Sequence, residues 1–219
     1  MSELLKASNI TKTFQLENTV IDVLKNISLS IQMAEFVAIM GKSGSGKSTL
    51  ISILAGLDTP DSGQVYLDSN ELTGLSEDEL AIIRQTDIGF VFQSFHLIPT
   101  LTVAENIGFP LRLSGSFFDN KVNELLDKVE LSHRKNSFPH QLSGGEKQRT
   151  AIARALIAQP KILFADEPTG NLDEKNAQSI LQLLIDLQQE YSTALVVVTH
   201  DNSIAQLANR TIHIANGTI

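Results

Sequence analysis

Three uninterrupted runs of apolar residues mark the chain at Phe36–Met40, Ile162–Ala165 and Ala194–Val198. None of them alternates with polar residues. A run of this length and composition is typical of a strand that is buried on both faces, as in a parallel sheet. The pattern therefore predicts three strands of a parallel core.

Helical spacing of apolar residues occupies the segments around these strands. Ser48–Leu57 follows the first strand, Glu146–Ala158 precedes the second, and Glu174–Tyr191 connects the second to the third. Long crossovers between buried strands are typical of right-handed βαβ units. The predicted fold class is α/β.

The N-terminal part mixes apolar and polar residues closely, over Leu4–Phe14 and Val20–Ile31, with a turn predicted at Glu17-Asn18. Val65–Asp68 adds a short strand after the Pro60–Gly63 turn. We expect an antiparallel β part beside the parallel core.

The middle of the chain, about residues 93–141, is predicted to be mainly helical. Capping-box patterns begin at Thr102 and, just upstream of this region, at Ser76, and Asn120–Val129 has helical spacing. We find no linker, repeat or low-complexity tract. The prediction is one domain, with a core over about residues 1–92 and 141–219 and a helical subdomain over about 93–140.

Composition narrows the classes of function. The 219 residues are 42% hydrophobic, carry a formal net charge of −8 and include no cysteine. Disulfides, zinc–thiolate sites and cysteine nucleophiles are thereby excluded, and the acidic balance argues against a nucleic-acid coat.

The longest apolar runs have five residues, whereas a membrane span needs about 20. We expect a cytoplasmic protein with no targeting segment, whose membrane role comes only through a partner.

One segment between the first strand and the helix after it fits the phosphate-loop pattern G-x-x-x-x-G-K-[ST] without a mismatch. It consists of Gly41, Lys42, Ser43, Gly44, Ser45, Gly46, Lys47, Ser48 and Thr49. Glycines let backbone N–H groups converge on phosphate oxygens, Lys47 places a cation against the β- and γ-phosphates, and Ser48 offers a hydroxyl to Mg²⁺. The alternative is a glycine-rich turn without a ligand.

Polar side chains end the other two buried strands. Asp166 and Glu167 follow the second strand: in a nucleotide site Asp166 holds Mg²⁺ and Glu167 polarises the attacking water. His200 ends the third strand, within reach of the γ-phosphate or the water, because ligands of open parallel sheets lie at the carboxyl ends of the strands. The alternatives are solvated loop carboxylates and a surface or capping histidine. The other histidines, including His213, have no such placement.

A second glycine pair opens the helix that precedes the second strand. Ser143 and Glu146 have capping-box spacing, and Gly144 and Gly145 lie between them. A cap alone does not require two glycines, which leave the N–H groups of the helix open to an anion. We expect contact with a second nucleotide, or with the far side of the same phosphate in a dimer.

In their order along the chain, these motifs resemble those of the ATP-binding-cassette (ABC) ATPases. The resemblance covers essentially the whole chain and adds Gln93, in Val91-Phe92-Gln93, and Asn171-Leu172-Asp173. It implies a P-loop NTPase core of the RecA-like type that hydrolyses ATP with Mg²⁺ as a homodimer, on the inner face of the membrane, bound to a permease.

The resemblance also implies roles for individual residues. Gln93 contacts Mg²⁺ or the water and relays to the permease, and Phe14 stacks on adenine. Ser143, Gly144 and Gly145 bind the γ-phosphate held by the opposite subunit, and Asp173 lies at the dimer interface. The alternatives are an ordinary loop amide for Gln93, a core phenylalanine for Phe14 and a helix N-cap for Asp173.

Phe92–Leu101 and Glu167–Asp173 are similar to a bacterial branch of the family, the lipoprotein-releasing LolD, macrolide-export MacB and YbbA ATPases, which pair with FtsX-like permeases. Three other functions stay open. They are a regulatory cassette of the FtsE type that signals through its permease, a soluble non-transport ABC ATPase, and a different P-loop enzyme such as a nucleotide kinase.

Overall fold

The computed structural model describes residues 2–16, 19–115 and 119–219, so the turn predicted at Glu17-Asn18 lies outside the described residues. Within them the strands are β1 (Glu3–Leu16), β2 (Thr19–Gln32), β3 (Phe36–Met40), β4 (Ser62–Leu67), β5 (Asn70–Glu71), β6 (Ile88–Val91), β7 (Ile162–Asp166), β8 (Ala194–Thr199) and β9 (Arg210–His213). The helices are α1 (Lys47–Leu54), α2 (Glu77–Thr86), α3 (Val103–Leu113), α4 (Asp119–Lys128), α5 (Gly144–Leu156), α6 (Glu174–Tyr191) and α7 (Asn202–Leu207), with short 3-10 turns at Ser132–Arg134 and Pro139–Gln141.

The chain forms two compact units. The first contains residues 1–84 and 194–219, and the second contains residues 85–193. The predicted helical subdomain, 93–140, lies inside the second unit. The division into a core and a helical subdomain stays a prediction.

The first unit contains the antiparallel part that the sequence predicts. β1 pairs with β2 and with β4, and β4 pairs with β5, all antiparallel. Phe14 of β1 lies opposite Ile21 of β2. This arrangement confirms the antiparallel N-terminal prediction.

The same unit contains three parallel strands in the order β8-β3-β9. Every residue of β3 and of β8 is buried, as the uninterrupted apolar runs predict. Met40, the last residue of β3, lies opposite Thr199 of β8 and His213 of β9. The carboxyl ends of the three strands therefore meet at one edge.

The second unit has the parallel pair β6-β7 together with α3 to α6. The capping box at Thr102 is present, because Thr102 Oγ1 accepts from the Glu105 amide and the Glu105 carboxylate accepts from the Thr102 amide. α6 has the predicted bounds, Glu174–Tyr191. Three strands, β5, β6 and β9, and the helix α7 were not predicted. Among the described residues, none of the helices has the length and apolar character needed to cross a membrane.

Candidate functional site

The predicted phosphate loop joins the buried end of β3 to α1. Gly46 is the N-cap of α1 with φ 100°, and no side chain accepts a hydrogen bond there. Gly44 also has a positive φ, 75°. These are conformations that residues with a Cβ rarely adopt. The first amides of α1 therefore meet no side-chain cap, and they present the positive end of the helix to an anion.

Two polar side chains of this loop are buried. Lys47 is 6% exposed, and its Nζ donates to the carbonyls of Gly41 and Lys42 at 3.0 Å each. Ser45 Oγ is buried without a hydrogen-bond partner in the described structure. A buried ammonium and a buried orphan hydroxyl are costly unless a ligand completes their bonding. A phosphate group supplies the acceptor oxygens that both donors need.

The other side chains of the loop face outward. Lys42, Ser43 and Ser48 are exposed, and Thr49 is half-buried in the first turn of α1. The loop thus combines a buried cation with accessible hydroxyls. This mixture is suited to a triphosphate with a hydrated metal ion.

The β1-β2 hairpin approaches the loop at Gly46. A Cβ at Gly46 would lie 2.8 Å from the Val23 carbonyl oxygen and 2.8 Å from Leu24 Cδ2. Ile21, two residues before Val23, is the cross-strand neighbour of Phe14. The hairpin therefore brings Phe14 to the side of the phosphate loop.

Phe14 itself is 42% exposed, which excludes the alternative of a core phenylalanine. Lys12 Nζ lies 5.4 Å from the centroid of its ring and is held by Asp58 Oδ1 at 2.8 Å. Asp61 accepts from the amide and hydroxyl of Thr13, and these hydrogen bonds lower the pKa of Asp61. The strand around Phe14 is anchored while the ring stays accessible.

His200 leaves the sheet beside the phosphate loop. It follows Thr199, which lies opposite Met40, and its side chain is exposed. Asp201 then caps α7 by accepting from the Ser203 amide at 2.8 Å. His213 is exposed, as expected of a surface residue, but it also ends β9 opposite Met40, a placement at the same edge that the sequence did not predict.

In the second unit, Asp166 and Glu167 follow a buried strand as predicted. Asp166 is the last residue of β7 and Glu167 comes next, and both are half-buried. Glu167 has φ 42°, a conformation that costs free energy in a non-glycine residue and is concentrated at functional sites. Since β6 pairs in parallel with β7, with Val91 opposite Ala165, Gln93 leaves the neighbouring strand at the same end.

Gln93 and Glu167 approach each other at Gly170. A Cβ at Gly170 would lie 3.2 Å from Gln93 Nε2 and 3.3 Å from Glu167 Oε2. The Gly170 amide donates to the Glu167 carbonyl at 3.0 Å. A side chain at this position would crowd the amide and the carboxylate, which would have to shift by a few tenths of an ångström.

The predicted capping box at the start of α5 is present. Ser143 Oγ accepts from the Glu146 amide at 3.3 Å, and Glu146 Oε2 accepts from the Ser143 amide at 2.8 Å. Arg134 Nε donates to Glu146 Oε1 at 2.8 Å. Burial raises the pKa of Glu146, but the hydrogen bonds from Ser143 and Arg134 outweigh it and leave the pKa below its ordinary value.

The two glycines of this helix start also have a packing role that the sequence did not reveal. A Cβ at Gly144 would lie 3.3 Å from Leu172 Cδ2, and one at Gly145 would lie 3.2 Å from Asn176 Oδ1. Gly145 is buried, whereas Ser143 is exposed. The start of α6 therefore packs directly on the start of α5.

Asp173 has the geometry of the helix N-cap. Its carboxylate accepts from the Asn176 amide at 3.1 Å, and the hydrogen bonds from the side chain and backbone of Asn176 lower its pKa. The side chain is exposed. A dimer contact by Asp173 stays a prediction.

Two residues of this unit to which the sequence assigned no role contact the Gln93 segment. Asn171 Nδ2 donates to the Gln93 carbonyl at 2.8 Å, and Arg154 donates to two carbonyls further along. The only sequence signal for Arg154 is a charge inside the apolar end of α5. Hydrogen bonds to main-chain carbonyls leave no residue pattern.

Parallel strands, a glycine loop that opens an uncapped helix, and a buried lysine in that loop define a nucleotide-binding protein of the P-loop class. Comparison with known proteins narrows the class. The family described as ABC transporter matches residues 24–170. The lipoprotein-releasing system ATP-binding protein LolD of Acinetobacter baylyi is 46% identical over 97% of this chain and 95% of its own length.

Two further proteins are similar to this chain. The macrolide export ATP-binding/permease protein MacB of Bdellovibrio bacteriovorus is 48% identical over 99% of this chain, which spans only 33% of that longer protein. The dimeric, post-hydrolysis structure of the ATP-binding cassette MJ0796 of Methanocaldococcus jannaschii, bound to ADP and Pi, has a TM-score of 0.92 at 44% identity, with 99% of this chain and 96% of that one covered.

The chain therefore belongs to the ABC transporter family. It is an ATP-binding cassette of the LolD and MacB type and an ATPase. The predicted fold class, an α/β P-loop core with parallel strands and an antiparallel N-terminal part, is confirmed.

Proposed function

We propose that this chain is the ATP-hydrolysing subunit of a bacterial ABC transporter with an FtsX-like permease, in the lipoprotein-release and export branch. Two copies close head-to-tail around two ATP molecules, and closure drives the permease. The observation that carries the proposal is the uncapped helix start at Gly46 with Lys47 buried beside it. The similarity to LolD and MacB supports the choice of branch.

The phosphate loop binds the triphosphate. Lys47 exchanges the carbonyls of Gly41 and Lys42 for the β- and γ-phosphates, and the amides between Gly41 and Thr49 donate to phosphate oxygens. Ser45 gains the acceptor that it lacks. Phe14 stacks on adenine, since an exposed aromatic ring offers a flat face to a base.

The residues also fit a magnesium ion. Ser48, Gln93 and Asp166 supply hydroxyl, amide and carboxylate oxygens, the hard donors that Mg²⁺ prefers. These three residues would hold the ion, which would supply charge neutralisation for the phosphates. Phosphate and water oxygens would complete the coordination.

Hydrolysis uses the residues that follow the buried strands. A water oxygen forms a bond to the γ-phosphorus, the bond to the bridging oxygen of ADP breaks, and ADP and phosphate leave. Glu167 accepts the proton of the water, Gln93 orients the water, and His200 contacts the γ-phosphate. The Glu167 carboxylate and the Gln93 amide both lie close to Gly170, which supports these roles.

The second nucleotide contact comes from the partner subunit in the proposed homodimer. Ser143, Gly144 and Gly145 bind the γ-phosphate held by the opposite subunit, and Asp173 lies at the interface. The exposure of Ser143 at the start of α5 supports this arrangement. ATP is then a switchable part of the interface. The subunit lies on the cytoplasmic face of the membrane through its permease and binds no nucleic acid.

Glu167→Gln tests the function. We expect it to keep ATP binding, to lower turnover by about a hundredfold or more, and to accumulate an ATP-held dimer in size-exclusion chromatography with light scattering. The ATP-loaded variant, used as bait in solubilised membranes, should retain an integral membrane permease. Asp186→Asn, an exposed change on α6, is the matched control. Normal turnover in Glu167→Gln, or a monomer at high protein and ATP concentration, would contradict the proposal.

A further inference from the structure

The backbone that follows Gln93 adopts an unusual conformation. Phe95 has φ 61° and His96 has φ 47°. Left-handed backbone is rare for residues with a Cβ, and two such residues in succession persist only where the surroundings hold them. The turn is closed by the Phe95 amide on the Phe92 carbonyl at 3.2 Å and the His96 amide on the Ser94 carbonyl at 2.6 Å.

A single side chain holds both residues of this turn. Arg154 of α5 donates from Nη1 to the His96 carbonyl at 2.6 Å and from Nη2 to the Phe95 carbonyl at 2.9 Å. A guanidinium is a rigid fork of donors, so its two bonds fix the relative orientation of two successive carbonyls. Burial lowers the pKa of Arg154, and the two carbonyl bonds compensate for part of its lost hydration.

Phe92, which precedes Gln93, and the main chain of Gln93 itself are anchored as well. The ring of His96 stacks on Phe92 with centroids 4.6 Å apart, and Phe92 in turn packs on Phe90 of β6 at 4.3 Å. The Gln93 carbonyl accepts from Asn171. With Phe92, Gln93, Phe95 and His96 all held, the Gln93 side chain projects from a fixed main chain although it is exposed.

We propose that Arg154 is a positioning residue for Gln93, and that it joins the helix that starts at Ser143 to the Gln93 segment within one subunit. Ser143 is the N-cap of α5 and Arg154 lies 11 residues further along the same helix, about 16 Å away. A rigid helix transmits a displacement of its start to the carbonyls that Arg154 holds. The inference rests on the proposed role of Gln93 in hydrolysis.

A double-mutant cycle of Arg154→Met and Gln93→Ala in the full chain tests the inference. Methionine keeps the aliphatic stem and removes both donors. We expect Arg154→Met alone to lower kcat about tenfold with less than about a threefold change in KM for ATP, because Gln93 loses its orientation and the phosphate loop does not. In the Gln93→Ala background the same change should have almost no further effect.

Arg149→Met is the matched control, because Arg149 lies on the same helix and donates to the Val129 carbonyl and Ser179 Oγ. It should lower thermal stability without the loss in kcat. If Arg154→Met fails to fold, Arg154→Lys keeps one ammonium donor and should show a smaller loss that Gln93→Ala again abolishes.

The outcomes separate the two proposals. A full, additive loss from Arg154→Met in the Gln93→Ala background would overturn the positioning role while leaving Gln93 in place. Unchanged turnover in Gln93→Ala alone would overturn the role of Gln93 itself, and with it this inference.

Discussion

At the scale of single residues, two buried side chains of the proposed nucleotide site have bonding that a ligand would complete or replace. Lys47 donates hydrogen bonds to two carbonyls of its own loop, and Ser45 has a buried hydroxyl without a hydrogen-bond partner in the described structure. The fold tolerates both groups because the free-energy cost of each is small compared with the stability of the whole fold. Because a bound phosphate would complete the hydrogen bonding of these groups, the ATP-bound loop is favoured over the unbound loop.

Phe14 gives a prediction at this scale. Phe14→Ala should weaken ATP binding about fivefold, because stacking of a base on an exposed ring is worth about 1 kcal/mol or more. Phe14→Tyr, which keeps the aromatic face, should retain wild-type affinity. Titration of a fluorescent ATP analogue measures both.

Val20→Ala is the control for Phe14. Val20 is more exposed than Phe14 and lies one residue before Ile21, the cross-strand partner of Phe14, so it points to the opposite face of the hairpin. It should leave the affinity unchanged. Equal affinities in Phe14→Ala and the wild type would assign adenine recognition to another residue.

At the scale of the elements, the sequence predicts what has a strong period and misses what depends on neighbours. β3 is apolar throughout, and β7 and β8 are apolar up to their last residue, so all three were predicted. β9 has only one buried residue, and its sequence resembles a loop. β6 has four residues, including Gly89, whose Cβ would collide with Leu163 Cδ1 at 2.8 Å. Packing against other elements determines that β6 and β9 form strands, and the local sequence pattern does not show this packing.

The candidate site follows the same rule. Glu167 and the phosphate loop stand out because their chemistry requires particular side chains, whereas Gln93 was indicated only by the resemblance to the family. Arg154 and Asn171 act on main-chain carbonyls, and a carbonyl belongs to every residue. The packing of Leu172 and Asn176 on the glycines of α5 likewise required coordinates.

The capping box of α5 yields a prediction about pH. Glu146→Gln keeps the hydrogen bond to the Ser143 amide, since glutamine also serves in a capping box, but it removes the ion pair with Arg134. At pH 7 the free energy of unfolding should fall by about 0.5–1 kcal/mol. Urea denaturation followed by circular dichroism measures it.

The sign of the pH dependence follows from the lowered pKa of Glu146. A carboxylate with a lowered folded-state pKa stabilises the fold above its ordinary pKa of 4.5 and loses this contribution as the pH falls through the folded-state value. The gap between Glu146→Gln and the wild type should therefore close below pH 4.5. Glu174→Gln, an exposed first-turn glutamate of α6, is the control. A gap that stays constant with pH would show that Arg134 is not paired with a charged Glu146.

At the scale of the whole molecule, the proposed ATP site uses two subunits. The phosphate loop and the Ser143 helix start lie in different compact units of one chain, and the proposed dimer supplies each ATP with the loop of one subunit and the helix start of the other. The dimeric structure of a similar cassette supports this assembly. A head-to-tail pair of identical subunits forms two equivalent composite sites.

Two inactive variants should therefore restore each other. Lys47→Ala removes the loop cation and Ser143→Arg blocks the helix start, so either homodimer has two damaged sites. In a mixed dimer one composite site carries both defects and the other carries neither. An equimolar mixture forms heterodimers in half of the pairs, each with one intact site, and should recover about a quarter of wild-type ATP turnover.

The alternative of a site completed within one subunit predicts no recovery, because every subunit then carries one defect. Thr102→Arg, at the equivalent cap of α3, replaces Ser143→Arg in the control mixture: it removes the same kind of capping bond, worth about 1 kcal/mol, without touching the proposed phosphate contact. When Thr102→Arg is mixed with Lys47→Ala, the expected turnover has two contributions. One comes from the Thr102→Arg homodimers, and the other comes from the single intact site of each heterodimer. The mixture should give no more turnover than their sum. Absence of recovery in the Lys47→Ala and Ser143→Arg mixture, with both variants folded and Ser143→Arg still binding ATP, would show that the helix start at Ser143 does not act across the dimer.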